Sequence, residues 1–345
     1  MKNCMIFVTG GSGLVGSFLI PALVARGLRV RALYRQQIPA LAGAEGVEWV
    51  EGDLRDTTLL TTALEGITHV FHCAGLVSYA PQDEEALLQV NVEGTAAIVD
   101  ACLRQPGVRL CQVSSVAALG GGAAETSVVP SIQPQLLDEN TKWDLGAEHG
   151  AYATSKYLAE LEVWRGVAEG LQAVIVCPSV ILGPADWERS STRLFRYAWQ
   201  QHRFYTPGSV NFVDVRDVVD CMLYLTLDTQ LTAERYVLSA GSLPLQEFLA
   251  RAAACFGRRP PTVAVPDWAA EGIWRLEHLR SVLTGARPLI TKDTARAGRR
   301  PVLYRAEKVQ QATGRPFRPL QETIAWCCEQ LQRRQQPAHT QGSGQ

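Results

Sequence analysis

Apolar and polar positions alternate between strand-like and helix-like segments through the first half of the chain. The first segment, "MIFVTG", is a short apolar run ended by glycines, which predicts a buried β-strand. "GLVGSFLIPALVARG" then carries apolar residues at helical spacing and ends at Gly27. Further strands are predicted in "RVRALYR", "GVEWVEGDLRD", "THVFHCAG", "VRLCQVSSVAALG" and "QAVIVCPSVILGP". The helices predicted between them are "TTLLTTALEG", "EEALLQVNVEGTAAIVDACLRQ" and "AYATSKYLAELEVWRGVAEG".

This order of elements predicts an α/β fold. Strands joined through helices pair in parallel, and apolar strands without a polar face suit a sheet that is covered on both sides. We therefore expect a Rossmann-type doubly wound parallel sheet over residues 1–184, with a further segment that returns to the sheet near 208–226. Residues 185–331 are expected to form a smaller, mainly helical substrate region, and the polar residues 332–345 a disordered tail.

Composition limits the partners and the compartment. Of the 345 residues, 47% are hydrophobic and 19% charged, the net charge is −1, and no sustained basic stripe indicates nucleic-acid binding. The apolar segment 13–24 contains Pro21 and precedes Arg26, so it is too short to span a bilayer and we expect no membrane association. The nine cysteines form no C-x-x-C and no zinc-spaced cluster with histidine. We expect free thiols, no metal site and a cytoplasmic protein.

A glycine-rich loop lies between the first predicted strand and helix. "VTGGSGLVG" fits G-x-G-x-x-G through Gly11, Gly13 and Gly16, and it also fits T-G-x-x-G-x-x-G through Thr9 and Gly10. Glycines in this position let the backbone approach a pyrophosphate, which the free N–H groups of the helix then bind. The loop therefore predicts a dinucleotide site. The residues expected to form it are Gly10, Gly13, Leu14, Val15 and Gly16.

The ends of the next strands bear on which dinucleotide binds. An NAD site usually has an acid after the second strand, but "ALYRQQ" has none, and Arg35 stands there. An arginine in this place can pair with a 2′-phosphate, so we favour NADP(H) over NAD(H). Asp53, followed by Leu54, either accepts from the adenine amino group or is a helix-cap or turn aspartate. The small residues after the fourth strand, expected as a wall beside the cofactor, are Cys73, Ala74 and Gly75.

Candidate catalytic residues follow in "YATSK". Tyr152 and Lys156 are four residues apart on a predicted helix and so share a face. A lysine cation one turn away favours the phenolate, so we expect Lys156 to lower the pKa of Tyr152 and let it act as an acid or base near neutral pH. Ser115 ends the fifth strand, at the carboxyl edge of the sheet where ligands bind, and its hydroxyl can bond a substrate oxygen. We expect Ser115, Tyr152 and Lys156 to form the catalytic group.

Taken together, these motifs resemble the extended short-chain dehydrogenases/reductases of the NAD(P)-dependent epimerase/dehydratase family. "TGGSGLVG", "GDLRD", "VSSVAALG" and "YATSK" match the family's motifs in order, and "CPSVILGP" resembles its R-P-x-x-x-x-G-P, with Cys177 in place of the arginine. The resemblance implies that the residues after this strand run beside the nicotinamide, which adds Pro178 and Val180 to the cofactor site. It also implies that Asn91 braces the backbone near the active site.

Departures from the family pattern narrow the reaction. Dehydratases of this family carry adjacent acidic residues just after the catalytic serine or threonine, whereas this chain has Val116 and Ala117. Arg35 is unlike the acid of NAD-bound sugar epimerases. "VRALYR" and "PGSVNFVDVRDVV" look most like the branch of dihydroflavonol-4-reductases, aldehyde reductases and 3β-hydroxysteroid dehydrogenase-like enzymes. The resemblance therefore implies an NADPH-dependent reductase of a small, hydrophobic carbonyl compound.

Two other functions remain open from the sequence. A nucleotide-sugar epimerase needs a diphosphate clamp, which Arg189, Arg193 and Arg196 would supply from one helix face if they are not simply solvated. A non-catalytic nucleotide sensor is allowed by the fold, although such members usually lose the Tyr/Lys pair. Family members often form homodimers through the helices that bear Asn91 and Tyr152. The bulky residues that either line a substrate pocket or belong to the core are Trp143, Trp187, Phe195, Tyr197 and Trp199.

Overall fold

Strands in the described part of the chain form four sheets. The computed structural model describes residues 4–120, 134–188, 191–266 and 302–335, together with 268–269, 271–272, 274–275 and 280. The strands are β1 (Met5–Thr9), β2 (Arg29–Tyr34), β3 (Glu48–Glu51), β4 (His69–His72), β5 (Arg109–Val113), β6 (Gln135–Leu137), β7 (Gln172–Pro178), β8 (Val180–Leu182), β9 (Phe204–Tyr205), β10 (Ser209–Asp214), β11 (Glu234–Leu238), β12 (Gly241–Pro244), β13 (Val263–Ala264) and β14 (Val302–Tyr304). The α-helices are α1 (Leu14–Ala25), α2 (Thr57–Ala63), α3 (Glu84–Leu87), α4 (Gly94–Leu103), α5 (Ala151–Ala168), α6 (Thr192–Trp199), α7 (Val215–Leu223), α8 (Leu245–Cys255), α9 (Glu307–Thr313) and α10 (Leu320–Gln335).

The main sheet has seven strands in the order β11-β7-β5-β4-β1-β2-β3, and every neighbouring pair is parallel. This confirms the predicted Rossmann-type doubly wound fold. From β1 the chain first builds outward to β3, and then returns to build β4 and the remaining strands on the other side. The crevice at the carboxyl ends of β1 and β4 is therefore the topological switch point, where ligands bind in such sheets.

Two hydrophobic layers cover the main sheet because residues along a strand alternate between its faces. Ile6 and Val8 of β1 point into the layer that includes Leu19 of α1 and Met222 of α7. Phe7 points into the opposite layer. There it belongs to the cluster that contains buried residues of α2, α4 and α5, namely Leu60, Ile98 and Val163. Burial on both faces accounts for the continuous apolar run of the first strand.

The segment 208–226, predicted to return to the sheet, does not join it. Its strand β10 pairs with β8 and β12 in a separate three-stranded sheet, and α7 follows to pack against α1. The seventh strand of the main sheet is β11, which lies parallel to β7. This strand begins with Glu234 and Arg235, which look like surface residues in the sequence. An edge strand has a neighbour on one side only and tolerates such polar positions.

The substrate region has more strand than its expected mainly helical character. Besides the three-stranded sheet, β9 pairs with β13 and β14 pairs with β6. Its own core includes Phe195, Phe248, Ile324 and Leu331, all fully buried. The strands are two to six residues long, too short to show a clear alternation in the sequence. Helix α10 extends to Gln335, so residues 332–335 are helical, and 336–345 lie outside the described residues.

One helical run, Pro81–Leu103, is long and apolar enough to span a membrane by length and composition, with a mean hydropathy of 1.3 in its most apolar window. Half of that window is buried inside the protein. Ile98 and Val99 are fully buried in the layer beneath the sheet. The apolar character of this run is that of a helix packed in a core.

We predict that Phe7→Ala lowers the free energy of unfolding by about 3–5 kcal/mol, because it removes a fully buried ring from the central strand and leaves a cavity. Phe204→Ala is the matched control, since Phe204 is 55% exposed, and it should change stability by less than about 0.5 kcal/mol. Urea denaturation followed by circular dichroism measures both. Equal losses for the two variants would contradict the assigned core.

Candidate active site

The glycine loop between β1 and α1 has a backbone that only glycine accepts at two positions. Gly10 has a φ of +72°, and a Cβ there would lie 2.5 Å from the backbone nitrogen of Ala74. A Cβ at Gly16 would lie 2.3 Å from the carbonyl oxygen of Gly10. At Gly11 the nearest atom is the end of the Ile20 side chain, at 2.7 Å. The tightest backbone constraints thus fall on glycines of the T-G-x-x-G-x-x-G pattern.

The amino end of α1 is built to receive an anion. Gly13 is its N-cap residue, is exposed and provides no side-chain cap, and the first turn contains no acidic residue. The first backbone N–H groups of a helix have no intrahelical acceptor, and the helix dipole adds positive potential there. The N–H groups of Leu14, Val15 and Gly16 therefore fit a phosphate, as predicted for the pyrophosphate of a dinucleotide.

Arg35 and Asp53 lie near each other at the ends of β2 and β3. The Asp53 carboxylate accepts hydrogen bonds from the backbone N–H and Nε of Arg55, at 2.9 and 3.0 Å. These bonds, with a smaller contribution from the charge of Arg35, lower the pKa of Asp53. Asp53 is thus a turn aspartate, because the side chain that caps α2 is that of Asp56. Arg35 is exposed just beyond β2.

The other residues predicted beside the cofactor lie at or after the carboxyl ends of β3, β4 and β7. The Cys73 N–H donates to the carbonyl of Thr9 at 3.2 Å, which joins the ends of β4 and β1. Gly75 approaches Lys156, since a Cβ on Gly75 would lie 3.7 Å from Nζ. Leu54 packs against the core formed by α2 and α4. At the carboxyl end of β7, Pro178 is the last residue of the strand and the partly exposed Val180 begins β8.

A buried chain of hydrogen bonds connects the loop to the helix that carries Asn91. Thr95 Oγ1 donates to the carbonyl of Asn91 at 2.6 Å, so it can only accept from His72 Nε2, 3.2 Å away. The other ring nitrogen of His72 then accepts from Thr9 Oγ1 at 2.6 Å, and Thr9 Oγ1 accepts from the N–H of Ala74 at 3.3 Å. Every polar atom in this chain is satisfied when His72 is neutral. Burial lowers the pKa of His72 to about 3, in agreement with that state.

Asn91 extends this chain to the predicted catalytic helix. Its side-chain oxygen accepts from the N–H of Leu76 at 2.7 Å, and its amide donates to the Leu76 carbonyl at 3.0 Å and to Ser155 Oγ at 2.9 Å. Ser155 in turn donates to the carbonyl of Tyr152 at 2.8 Å. Asn91 lies in a π-helical turn, Leu88–Glu93, a local widening that is frequent at functional sites. The expected bracing role of Asn91 agrees with these contacts.

Ser115 lies close enough to Tyr152 for its hydroxyl to favour the phenolate and lower the pKa of Tyr152. Ser115 follows β5 and caps the 3₁₀ turn Val116–Leu119, with its Oγ accepting from the N–H of Ala117 at 3.2 Å. Tyr152 lies in the first turn of α5, and its ring packs edge-on against Tyr79, with 5.6 Å between the centroids. Although Tyr152 is partly accessible to solvent, desolvation of its hydroxyl and the nearby Tyr79 raise its pKa, which Ser115 partly offsets. This direction is opposite to the lowering expected from Lys156, because burial of the hydroxyl outweighs the other contributions.

Lys156 is buried one turn after Tyr152. Its Nζ donates to the carbonyl of Val113 at 2.9 Å, which ties α5 to the carboxyl end of β5. Desolvation lowers the pKa of Lys156 to about 8, and the charge of Glu160 opposes this shift. At neutral pH the Lys156 ammonium is therefore close to its titration midpoint. The same site contains Tyr152, Ser115 and the amino end of α1.

Sequence reasoning missed a second layer of polar residues beneath this group. Glu160, fully buried on α5, accepts hydrogen bonds from Ser114 Oγ and from Cys177 Sγ, and it pairs with Arg235 at 3.1 Å. In the sequence, the one indication of this role is that Glu160 stands one helical turn after Lys156. Arg235 lies 75 residues further along the chain and gives no such signal.

The sequence assigned a set of bulky residues either to a substrate pocket or to the core. In the structure these residues lie mostly in packed clusters. Trp143 stacks on Tyr157, with ring centroids 4.2 Å apart and planes 8° from parallel. Phe195 is fully buried against Phe248. The remaining residues of this set, which are partly buried around the same core as Phe195, are Trp187, Tyr197 and Trp199.

Two of the three arginines considered as a diphosphate clamp lie on α6 within the described residues. Arg196 of α6 forms an ion pair with Glu188. Arg193 is exposed on the same helix, and Arg189 lies outside the described residues.

The chain belongs to the NAD-dependent epimerase/dehydratase family, whose model matches residues 6–238. This confirms the resemblance stated from the motifs, and it makes the protein an NAD(P)-dependent enzyme of the extended short-chain dehydrogenase/reductase type. The matched residues include the glycine loop, Ser115, Tyr152 and Lys156.

Curated relatives are similar over most of the chain. A protein of Synechocystis named "Putative dihydroflavonol 4-reductase" is 32% identical over 339 residues, which cover 94% of this chain and 93% of that protein. Sterol demethylase protein B of Methylococcus capsulatus is 34% identical over 272 residues, covering 77% of this chain and 79% of the relative.

Solved structures share the fold over nearly the whole length. The crystal structure of gox2253 has a TM-score of 0.79 at 29% identity and covers 96% of this chain and 99% of that one. MoeE5, solved in complex with UDP-glucuronic acid and NAD, has a TM-score of 0.72 at 22% identity, covering 95% and 99% of the two chains, a likeness that shows the fold alone.

We predict that the buried, neutral His72 makes the protein sensitive to mild acid. In the unfolded chain His72 binds a proton near the ordinary histidine pKa of about 6.5, whereas in the folded chain it stays neutral down to about pH 3. The stability is therefore complete above pH 6.5 and declines as the pH falls. By pH 5 the loss from this residue is about 2 kcal/mol.

Urea denaturation at pH 7 and pH 5 measures this loss. His72→Gln should start from a lower stability at pH 7 but lose about 2 kcal/mol less than the unchanged protein between the two pH values. His202→Gln is the control, because His202 is exposed, and it should keep the full pH dependence. A His72→Gln variant with the same pH dependence as the unchanged protein would refute the assignment.

Proposed function

We propose that the protein is an NADPH-dependent reductase that converts the carbonyl group of a small, hydrophobic substrate to a secondary alcohol. The observation that carries the proposal is the bond of Lys156 to Val113 at the end of β5, which places α5 and its Tyr152 next to the strand end that bears Ser115, beside a glycine loop suited to a dinucleotide. NADPH, when bound, supplies a hydride to the carbonyl carbon. The protein's own residues supply the proton and the orientation.

Tyr152 is suited to be the proton donor. Because desolvation raises its pKa, the phenol keeps its proton at neutral pH, which is the form that a reduction needs. As the carbonyl oxygen gains negative charge, Tyr152 transfers its proton to that oxygen. Ser115 orients the oxygen by a hydrogen bond, and the Lys156 ammonium stabilises the phenolate that remains. Solvent restores the phenolic proton at the end of the cycle.

The cofactor preference is argued from Arg35. The end of β2 carries this exposed arginine and no acid in "ALYRQQ", which favours a 2′-phosphate over a free ribose hydroxyl. Asp53 is already bonded to Arg55, and its role toward adenine is a secondary part of the proposal.

A hydrophobic substrate is argued from the side chains around the crevice. Val77 and Tyr79 follow β4 and are 64% and 47% exposed, and Val180 after β7 is 38% exposed. Tyr79 contacts the ring of Tyr152 directly. Apolar side chains left exposed beside a polar catalytic group form a surface on which an apolar carbonyl compound gains by burial. The names of the relatives, a dihydroflavonol reductase and a sterol enzyme, agree with such a substrate.

The reductase is favoured over the epimerase for a structural reason. An epimerase of nucleotide sugars needs cations that hold a diphosphate, and Arg196 is engaged by Glu188. Val116 and Ala117 supply no acid or base for a dehydratase.

We predict that Tyr152→Phe lowers the kcat of NADPH-dependent carbonyl reduction by about 10²–10⁴-fold, because it removes the proton donor and little else. NADPH oxidation followed at 340 nm with a panel of aldehydes and ketones measures it. Tyr157→Phe is the matched control on the same helix, since Tyr157 stacks on Trp143 through its ring alone. Full turnover by Tyr152→Phe would refute the assigned acid.

We predict that Arg35→Ala raises the Kd for NADPH by about 10–100-fold and leaves that for NADH nearly unchanged, because a charge-assisted hydrogen bond contributes about 1.5–3 kcal/mol. Arg29→Ala is the control, since Arg29 is exposed at the opposite end of β2. Fluorescence titration of the reduced cofactors measures both constants. Equal weakening of the two cofactors by Arg35→Ala would contradict the NADP preference.

A further inference from the structure

We propose that the buried ion pair of Glu160 and Arg235 is a positioning device for the reaction. It holds Lys156, one helical turn after Tyr152, in its charged form. Neither Glu160 nor Arg235 touches the reacting atoms in this scheme. The inference rests on the proposed function for its catalytic meaning, but the electrostatic claim about Lys156 can be tested without turnover.

Glu160 is held from three sides, which makes it a fixed charge. Its side chain is 2% exposed. Ser114 Oγ and Cys177 Sγ both donate to Oε1, the latter at 3.3 Å, and Arg235 donates to Oε2 at 3.1 Å. A carboxylate so fully bonded cannot turn toward water or toward another partner. Its position on α5 is therefore fixed relative to the sheet.

Arg235 is equally fixed. Its second terminal nitrogen donates to the carbonyls of Glu139 and Thr141, at 2.6 and 3.4 Å. The Glu139 carboxylate in turn accepts from the N–H of Val237 at 2.8 Å. The guanidinium thus spans from the loop after β6 to α5, and the pair joins the edge strand β11 to the helix of Tyr152.

The pairing register of β11 and β7 explains why Arg235 lies beside Glu160. Arg235 pairs with Ile175 and Val237 with Cys177 in the parallel ladder of β11 and β7. Residues two apart on a strand share a face, so Arg235 and Cys177 point to the same side. The family motif R-P-x-x-x-x-G-P has an arginine at the position of Cys177. The guanidinium beside Glu160 comes from β11, the strand next to that of Cys177.

The charge of Glu160 reaches Lys156 because the two are one helical turn apart, with both side chains buried. Desolvation lowers the pKa of Lys156 to about 8, and Glu160 is the largest of the groups that raise it. Among the described residues, the other titratable or charged groups near Lys156 or its thiol neighbours are His72, Cys73, Cys177 and Arg235, and Tyr152 lies one turn earlier on the same helix.

Glu160 alone among these groups provides a negative charge at neutral pH within the described residues. Burial raises the pKa of both thiols, Cys73 and Cys177, far above neutrality. His72 is neutral, for the reasons given above. Without the carboxylate of Glu160, the Lys156 ammonium would face only its carbonyl acceptor and the unpaired guanidinium of Arg235. The proton on Lys156 would then be lost at lower pH.

The test is the titration of Lys156 by ¹³C NMR in protein labelled at lysine Cε. The chain has five lysines, so the signal is assigned by its loss in Lys156→Arg. We expect Glu160→Gln to lower the Lys156 midpoint by about 1–3 pH units, the usual effect of removing an adjacent opposite charge. The pH profile of kcat/KM for carbonyl reduction reports groups of the free enzyme. Its alkaline limb should move to a correspondingly lower pH. Glu160→Asp keeps the charge and should keep the midpoint within about 0.5 unit of the unchanged protein.

Controls separate the electrostatic role from a merely structural one. Glu162→Gln removes a charge on the same helix that pairs outward with Arg165, and it should leave the midpoint of Lys156 unchanged. The double variant Glu160→Gln/Arg235→Gln leaves no unpaired buried charge, so it guards against misfolding of the single variant. It should also show a lowered midpoint.

A Lys156 midpoint in both the single and the double variant within about 0.3 unit of the unchanged protein would overturn the proposal. The failure of the proposed reductase is a separate result, namely no NADPH oxidation by the unchanged protein with any carbonyl compound. The NMR titration distinguishes the two, because it reads the charge of Lys156 in the absence of turnover.

Discussion

The arrangement of this protein depends on one buried amine. Lys156 donates to the carbonyl of Val113, so the helix that carries Tyr152 is fixed against the carboxyl end of the central strand β5. A buried ammonium is costly unless it is bonded and compensated. The surrounding structure meets that requirement through the Val113 carbonyl and the fixed charge of Glu160. The same contacts hold the helix of Tyr152 beside the strand end that bears Ser115, so the stability of the buried charge and the geometry of the site have one cause.

The sequence predicted what is encoded locally. Three motifs are each contained in a few consecutive residues: the glycine loop, the strand-end Ser115 and the Tyr-x-x-x-Lys spacing. Each directly determines either the path of the backbone or the helix face on which a side chain lies. The central sheet through β7 follows from the same kind of local periodicity. The return of the chain to that sheet was wrongly predicted, because β10 has the apolar pattern of a buried strand, whereas the true edge strand β11 begins with two charged residues.

Long-range polar pairing could not be predicted from the chain. The neutral state of His72 depends on Thr9, 63 residues away, and on Thr95, which is itself committed to the Asn91 carbonyl. Arg235 meets Glu160 only because β11 lies beside β7 in a particular register. In both cases the residue types are ordinary, and only the three-dimensional neighbours give them a role. These neighbours connect the nucleotide loop, the bracing Asn91 and the catalytic helix into one buried polar framework.

The central claim, reduction of a carbonyl by hydride from NADPH, is tested most directly by isotope transfer. NADPH deuterated at the transferring position of nicotinamide C4 is incubated with the protein and a carbonyl compound that it consumes, and the alcohol is analysed by mass spectrometry and NMR. The account predicts one deuterium on the former carbonyl carbon and stoichiometric formation of NADP. A product without deuterium, or an inverted carbon with the reduced cofactor regenerated, would contradict it and indicate a different reaction on the same fold.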